Sequence, residues 1–267
     1  MSSASPPSPD AATNHPLVAF GLSDSGKQRP ENEDAFGCFA DARLFIVADG
    51  MGGHNAGEVA SAMAIREIDR FFRSYHVNPR QEWPHPIDRS LSLAANLLQV
   101  GIKVANDRIR GSASADRAHA RMGSTVVAMA IGETQLAIAH AGDSRAYLLR
   151  GGELQRLTRD HSVAEEMRAA RPEMTDEDLA TFAHRNVVTR SLGSKDELEP
   201  QVQVGVLESG DVYLLCSDGL WGSVKDDQIA NVLRETFDLG SACQQLIDAA
   251  NAAGGPDNIT VLLVRVG

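Results

Sequence analysis

The stretch Val47-Ala48-Asp49-Gly50-Met51-Gly52-Gly53-His54-Asn55-Ala56-Gly57-Glu58 constrains the fold more than any other. An apolar run from Arg43 ends at the carboxylate of Asp49 and turns through glycines. It then opens into a helical pattern in which Val59, Met63, Ile68 and Phe72 recur on one face. A strand therefore feeds a helix, with Asp49 at the rim between them. Phosphate-cradling loops share this layout, and the spacing from Gly52 to Gly57 imitates one. However, Glu58 and Val59 stand where such a loop needs Lys and Ser or Thr, and Asn55 replaces the third glycine of a dinucleotide fingerprint. Phosphate in that loop would meet a carboxylate, so the bound group is to be sought in the rest of the chain.

Residues 1–16 are rich in Ser, Pro and Ala with little to bury, and are expected to form a disordered leader. A single domain is expected over 17–267. It begins with strands at Leu17–Leu22 and Ala35–Phe39, separated by the polar segment Arg29-Pro30-Glu31-Asn32-Glu33-Asp34. Helices are expected at about Ala56–Tyr75 and Ile87–Arg110, joined by a proline-rich loop. From Gly123 the period changes to short apolar runs, Ser124–Ile131, Gln135–Ala141, Arg145–Leu149 and Glu153–Leu157, which read as a meander of hairpins. Ser162 to about Arg185 is polar and helical in propensity, and is expected to be a surface flap. Strands at Gln201–Leu207 and Asp211–Cys216 then precede a helix pair at about Lys225–Thr236 and Ser241–Ala253, and the last strand is Ile259–Val266. Strands and helix pairs in this order predict an α+β chain, with two mostly antiparallel sheets packed face to face and an antiparallel helix pair outside each.

Charge and cysteine content narrow the company the chain keeps. The net charge of −11, with no basic cluster, argues against nucleic acid or an anionic membrane as partner and favours cations. Three widely spaced cysteines match no zinc spacing, and no apolar run approaches the ~20 residues of a membrane span. A reduced, cytoplasmic setting is the expectation.

Carboxylates recur at strand ends. Asp49 and Asp218 each follow an apolar strand and precede Gly, Asp143 follows Gly142 between two strands, and Asp257 immediately precedes the last strand. Each alone is ordinary turn chemistry. Together with Glu33 and Asp34 they would repel one another on a shared rim unless a cation joined them. Oxygen ligands without His or Cys select hard ions, Mg²⁺ or Mn²⁺. With several acids available, two ions could sit roughly 3.5–4 Å apart and share Asp49. Arg29 is the candidate fork for the outer oxygens of a phosphoryl group held there.

With these residues in view the chain resembles a metal-dependent Ser/Thr protein phosphatase of the type 2C family, in its bacterial form. The pieces that carry the resemblance are RPENED at Arg29–Asp34, VADGMGGHNAGE at Val47–Glu58, MGST at Met122–Thr125, AGDSR at Ala141–Arg145 and LTRDHS at Leu157–Ser162. TRSLG at Thr189–Gly193, CSDGLW at Cys216–Trp221 and GGPDNIT at Gly254–Thr260 follow in family order, so the set spans nearly the whole chain after the leader. The resemblance implies a four-layer α/β/β/α sandwich. It implies that Asp49 bridges two Mn²⁺ or Mg²⁺ ions, that the Gly50 carbonyl helps hold one, and that Asp218 and Asp257 hold the other. Glu33 and Asp34 would bind metal-bound waters, Arg29 would grip the substrate phosphate, and Asp143 with Asp218 would take a third, weaker ion beside the flap. The implied reaction is hydrolysis of phosphoserine or phosphothreonine in protein substrates by a metal-bridging hydroxide, without a phosphoenzyme, opposing a Ser/Thr kinase. A monomer is expected.

One position departs from many eukaryotic members, which carry a His directly after the Asp-Gly where this chain has Met51. The proton donor to the leaving oxygen is thereby open, with a metal-bound water preferred over His54 and His161; His161 is expected in a supporting place. Ser124 and Thr125 are expected to tie the sheet to its turn, Asn258 to stabilise the Asp257 turn, and Cys216 to be core. The alternative from another class is a catalytically silent phosphatase-like binding module, and a third reading is a phosphatase of small metabolites. Retention of every expected acid favours the active protein phosphatase.

Overall fold

A computed structural model describes residues 15–52, 56–116, 119–132, 135–171, 173–175, 178, 182, 184 and 187–267. Its strands are β1 (Leu17–Asp24), β2 (Asp34–Phe39), β3 (Leu44–Met51), β4 (Gly123–Ser124), β5 (Val126–Ile131), β6 (Gln135–Ala141), β7 (Arg145–Arg150), β8 (Glu153–Arg156), β9 (Gln201–Val206), β10 (Val212–Cys216) and β11 (Ile259–Val266). The helices are α1 (Ala56–Val77), α2 (Leu93–Ala115), α3 (Val163–Ala170), the single turn α4 (Asp218–Trp221), α5 (Asp226–Glu235) and α6 (Leu239–Ala252).

One sheet has the order β1-β11-β10-β7-β8 and the other β2-β3-β5-β6-β9, with the short β4 paired to β3. Neighbouring strands are antiparallel throughout. The layering follows from alternation along β3. Leu44, Ile46 and Ala48 pack with Ile68, Leu98 and Ile102 of α1 and α2, while Phe45 and Val47 point the other way and meet Tyr213, Leu215 and Leu262 of the facing sheet. Both faces of the strand are dry, which is why its sequence reads as one apolar run rather than a polar alternation. Phe45 is fully buried, and its truncation to Ala would cost about 3–5 kcal/mol. A third cluster joins Leu214, Cys216 and Leu263 to Ile229, Leu246 and Ile247 of α5 and α6. The expected four-layer α/β/β/α sandwich is the observed architecture.

Three expectations need correction. The second long helix starts at Leu93, not near Ile87, because Ser92 caps it by accepting a hydrogen bond from the Ala95 N–H at 3.3 Å. Asn96 pins the preceding residues as a loop, donating to the carbonyls of Asp88, Leu91 and Ser92 and accepting from the Asp88 N–H at 2.8 Å. The run from Ser124 to Ile131 is also not one strand but β4 and β5, parted at Thr125. Finally, the meander is interrupted: β6 and β7 belong to different sheets, so Gly142-Asp143-Ser144 is a crossover rather than a hairpin turn. Backbone groups that a hairpin would have paired are taken up by His161, whose N–H donates to the Gly142 carbonyl at 2.9 Å while its Nδ1 accepts from the Gly142 N–H at 3.2 Å.

His15 and Pro16, placed by sequence in the leader, are engaged by the fold. The Gly267 N–H donates to the Pro16 carbonyl at 2.8 Å, and Arg43 donates to the His15 carbonyl at 3.3 Å. Residues 1–14 lie outside the described residues, as does part of the expected flap between 172 and 186. The described part of that flap begins with α3, capped by Ser162, and its base is closed by a β-bridge between Ser162 and Val188. No helix among the described residues is long and apolar enough to cross a membrane.

Candidate metal centre

The acids predicted from strand ends meet at one mouth of the sandwich. β3 delivers Asp49 opposite Asp34 of β2. β10 and β11 deliver Asp218 and Asp257 from the facing sheet, and the crossover delivers Asp143. The β7–β10 ladder ends at Arg145 with Cys216, two residues short of Asp143 and of Asp218, and the charge of Asp218 acts on the Asp143 carboxyl. Strand pairing together with the packing of the two sheets thus brings together positions as far apart in sequence as Asp34 and Asp257.

Glycines after the two central acids permit that approach. A Cβ on Gly50 would lie 2.0 Å from the Gly57 carbonyl oxygen, and one on Gly219 would lie 2.0 Å from that of Asn258. No side chain fits at either distance, so the Asp-Gly pairs are requirements of packing as well as of turning. The Gly50 N–H donates to the Glu33 carbonyl at 3.1 Å, which ties the RPENED loop to the end of β3.

Asn258 secures the same loop from the other sheet. Its amide donates to the carbonyls of Ser25 (3.0 Å) and Glu31 (2.9 Å) and accepts from the Glu33 N–H (2.8 Å), while its own N–H bonds Asp257 at 2.9 Å. The MGST residues brace Asp49. The Asp49 N–H donates to the Thr125 hydroxyl at 3.2 Å, the Thr125 N–H donates to the Asp49 carbonyl at 2.8 Å, and the Ser124 hydroxyl reaches the same carbonyl at 3.1 Å.

The electrostatics is strained toward a cation. Burial, reinforced by the charges of Asp34, Asp218, Asp143 and Asp257, holds the Asp49 carboxyl well above the usual carboxylate range. Burial, with Asp218 and Asp160 adding to it, pushes Asp143 up to about 7. Asp218 is raised by burial and by Asp257, and Glu33 by burial. Asp34 is raised chiefly by burial, against the hydrogen bonds its Oδ2 accepts from Ser217 (2.6 Å) and Thr260 (2.7 Å). Its other oxygen, Oδ1, is buried and accepts no hydrogen bond. A buried carboxylate oxygen without a partner is costly, and a cation or its water shell is the natural occupant of that position.

The residues therefore fit hard divalent ions, since the converging side chains offer carboxylate oxygens. Among the described residues no three His, Cys, Asp or Glu side chains close on one point as a ready-made cage. Oxygen donors without His or Cys suit Mg²⁺ and Mn²⁺ rather than zinc. Arg29 stands at the rim, half exposed, and donates to Asp257 Oδ2 at 2.8 Å. His161 is buried and stacks face to face on His140 at 4.6 Å. Burial, with His140 and Arg190 adding to it, lowers its pKa to about 4, so near neutral pH it carries no extra proton to give. His54 lies outside the described residues.

Two participants were missed in the sequence. Arg145 forks onto Asp160 through Nε (2.9 Å) and Nη2 (2.6 Å), and Trp221 donates its indole N–H to the Asp143 carbonyl at 3.0 Å. Both lie inside motifs noted for their acids, and their own side chains gave no periodic or spacing signal.

A family model described as protein phosphatase 2C matches residues 20–259. The chain belongs to the protein phosphatase 2C family. Protein phosphatase PhpP of Streptococcus pneumoniae is 36% identical to this phosphatase 2C chain over 251 residues, with 92% of this chain and 96% of PhpP covered. The crystal structure of the Mycobacterium tuberculosis serine/threonine phosphatase PstP/Ppp matches it with a TM-score of 0.80 at 32% identity, over 93% of this chain and 98% of the other. The catalytic domain of PstP in complex with two manganese ions matches with a TM-score of 0.78 at 32% identity, over 94% and 98%.

Proposed function

We infer that this chain is a metal-dependent serine/threonine phosphoprotein phosphatase that uses two Mn²⁺ or Mg²⁺ ions. The observation that carries the reading is the convergence of Asp49, Asp218, Asp257, Asp143, Glu33 and Asp34 on one mouth, with Arg29 at its rim. Asp49 and the Gly50 carbonyl would hold one ion, Asp49 shared with Asp218 and Asp257 the other, and Asp143 with Asp218 a third. When bound, such ions supply Lewis acidity and lower the pKa of a water so that a nucleophile forms near neutral pH.

The chain's own groups do the rest. Glu33 and the free oxygen of Asp34 orient water by accepting its hydrogen bonds. Arg29 is long and half exposed, so it can exchange Asp257 for two oxygens of a substrate phosphate, where its planar fork fixes orientation. Hydroxyls at the mouth are committed elsewhere: Ser124 to the Asp49 and Thr125 carbonyls, Thr125 with Ser144, and Ser217 and Thr260 to Asp34. Burial raises the Cys216 thiol far above its usual value, which leaves it unreactive. The commitment of these hydroxyls to structural hydrogen bonds supports direct displacement by water, with no phosphoenzyme.

The substrates are phosphorylated proteins, and the enzyme would oppose a Ser/Thr kinase in the cytoplasm as a monomer. A net charge of −11 favours basic residues beside the phosphate. The deciding experiment is hydrolysis of phosphothreonine peptides with Mn²⁺, alongside kcat/KM for small phosphorylated metabolites. Peptide turnover abolished by EDTA is expected. No turnover on any peptide would leave the silent binding module, and a preference for metabolites would move the substrate class.

A further inference from the structure

Asp143 and Asp218 come from different connections, yet one side chain touches the backbone of the first and shares a single helical turn with the second. α4 is four residues long, beginning at Asp218 and ending at Trp221. The Trp221 indole N–H donates to the Asp143 main-chain carbonyl at 3.0 Å. The ring is held in turn by the Arg145 guanidinium, whose Cζ lies 3.5 Å from the ring centroid. Every edge of that guanidinium is occupied, with Asp160 taking Nε and Nη2 and the Tyr147 hydroxyl taking Nη1 at 3.0 Å. Tyr147 passes the contact on to Asp226, the first residue of α5, at 3.2 Å. Arg145 is also the residue paired with Cys216 in the ladder that ends just before Asp218.

We propose that Trp221 is a positioning residue that fixes the spacing between Asp143 and Asp218, and thereby sets the affinity for the divalent cation these two acids would share. The inference rests on the reading of Asp143 and Asp218 as ligands given above. Its physical basis is that the β7–β10 ladder stops at Arg145 with Cys216, two residues short of each acid, so strand pairing does not itself fix their spacing. Asp218 rides on α4 and Asp143 on a crossover between sheets, and the indole bond is the direct side-chain link from one to the other. The stacked, forked Arg145 keeps the indole plane from rotating. Groups that orient ligands in this way typically change metal affinity about ten- to a hundredfold when removed.

Trp221→Phe keeps a ring over Arg145 and deletes the N–H donor. Calorimetric titration of Mn²⁺ into wild type, Trp221→Phe and Asp143→Ala reads the site without reference to turnover. The expected result is that Trp221→Phe weakens, by about ten- to a hundredfold, the same class of sites that Asp143→Ala removes. The other sites and the metal-free melting temperature should stay close to wild type. An unchanged Trp221→Phe isotherm beside a depleted Asp143→Ala isotherm overturns the inference alone, as does equal weakening of all sites with a fall in melting temperature. An unchanged Asp143→Ala isotherm overturns the ligand reading and the inference with it. Should Trp221→Phe not fold, Mg²⁺ titration of the wild-type protein followed at the Trp221 indole N–H resonance serves instead. Only Trp83 must be assigned away, by Trp83→Phe. A resonance that shifts with occupancy of the site lost in Asp143→Ala supports the proposal, and one that stays fixed throughout refutes it.

Discussion

Asp34 and Asp49 are cross-strand partners, set directly opposite one another by the register of β2 and β3. Like charges in that relation oppose strand pairing, and burial, with Asp34 and three further aspartates adding to it, raises the Asp49 pKa.

Asp49→Asn is therefore expected to act in opposite directions on activity and on metal-free stability. Removing the carboxylate that two ions would share should cut phosphopeptide turnover by more than about a hundredfold, beyond the range for residues that merely orient ligands. Removing one of several repelling acids should raise the melting temperature in EDTA by about 2–4 °C for each ~1 kcal/mol of repulsion relieved. Paired turnover assays and thermal scans check both. A variant that is inactive and also less stable in EDTA would count against the picture of a strained acidic mouth.

Asn258→Ala should loosen the RPENED loop. Three hydrogen bonds made by the amide are lost at a buried position, at a cost of about 2–3 kcal/mol. Arg29 lies in the loop so released, and a rise in peptide KM larger than the fall in kcat is the expected kinetic signature. Equal KM values in wild type and variant would show that the loop holds its place without Asn258.

Gly219→Ala introduces a Cβ at 2.0 Å from the Asn258 carbonyl oxygen, a distance no structure tolerates. The turn bearing Asp218 must move, so Mn²⁺ affinity should fall at least about tenfold even where circular dichroism shows a folded protein. Wild-type affinity in this variant would mean that the two loops separate freely.

At the far mouth of the sandwich, Asp211 supplies a pH test that leaves the acidic centre untouched. Burial pushes its carboxyl up, but the Arg150 fork (2.7 and 2.6 Å), the Glu208 N–H and the Tyr213 hydroxyl outweigh burial and hold it below the usual value. A carboxyl with a depressed folded pKa contributes stability that is fully present above the unfolded value of about 3.9. That contribution is lost as pH falls through the lower, folded value. Arg150→Met should cost about 2–3 kcal/mol at pH 7, less than a wholly buried pair because Arg150 is one-third exposed. The difference between variant and wild type should shrink toward pH 3. Urea midpoints across pH 3–7 measure it, and a difference that stays constant over this range would rule out the ion pair as its source.

The acids of the centre were legible in the sequence because each ends or begins an apolar strand next to a glycine, and strand ends collect at sheet mouths. The final strand, Ile259–Val266, coincides with what periodicity predicts. The start of α2 differs from the sequence expectation because helical periodicity extends back over Ile87 and Leu91, while the deciding contacts of Ser92 and Asn96 are local hydrogen bonds that periodicity does not encode. The crossover at Gly142–Ser144 looks like a hairpin turn in the sequence because the apolar runs of β6 and β7 are the same whether the two strands share a sheet or face each other. Trp221 and Arg145 carry no sequence signal for a related reason: their contact runs through space between a strand end and a one-turn helix.

Asp34 and Asp49 belong to one sheet, Asp218 and Asp257 to the connections of the other, and Asp143 to the chain crossing between them. The centre is thus assembled across the seam of the sandwich rather than upon either half. Its geometry acts as a gauge of how the two halves are seated. A substitution in the seam, at Met129 or Leu262 for instance, would be felt as detuned ion affinity while each half still kept its own strands paired.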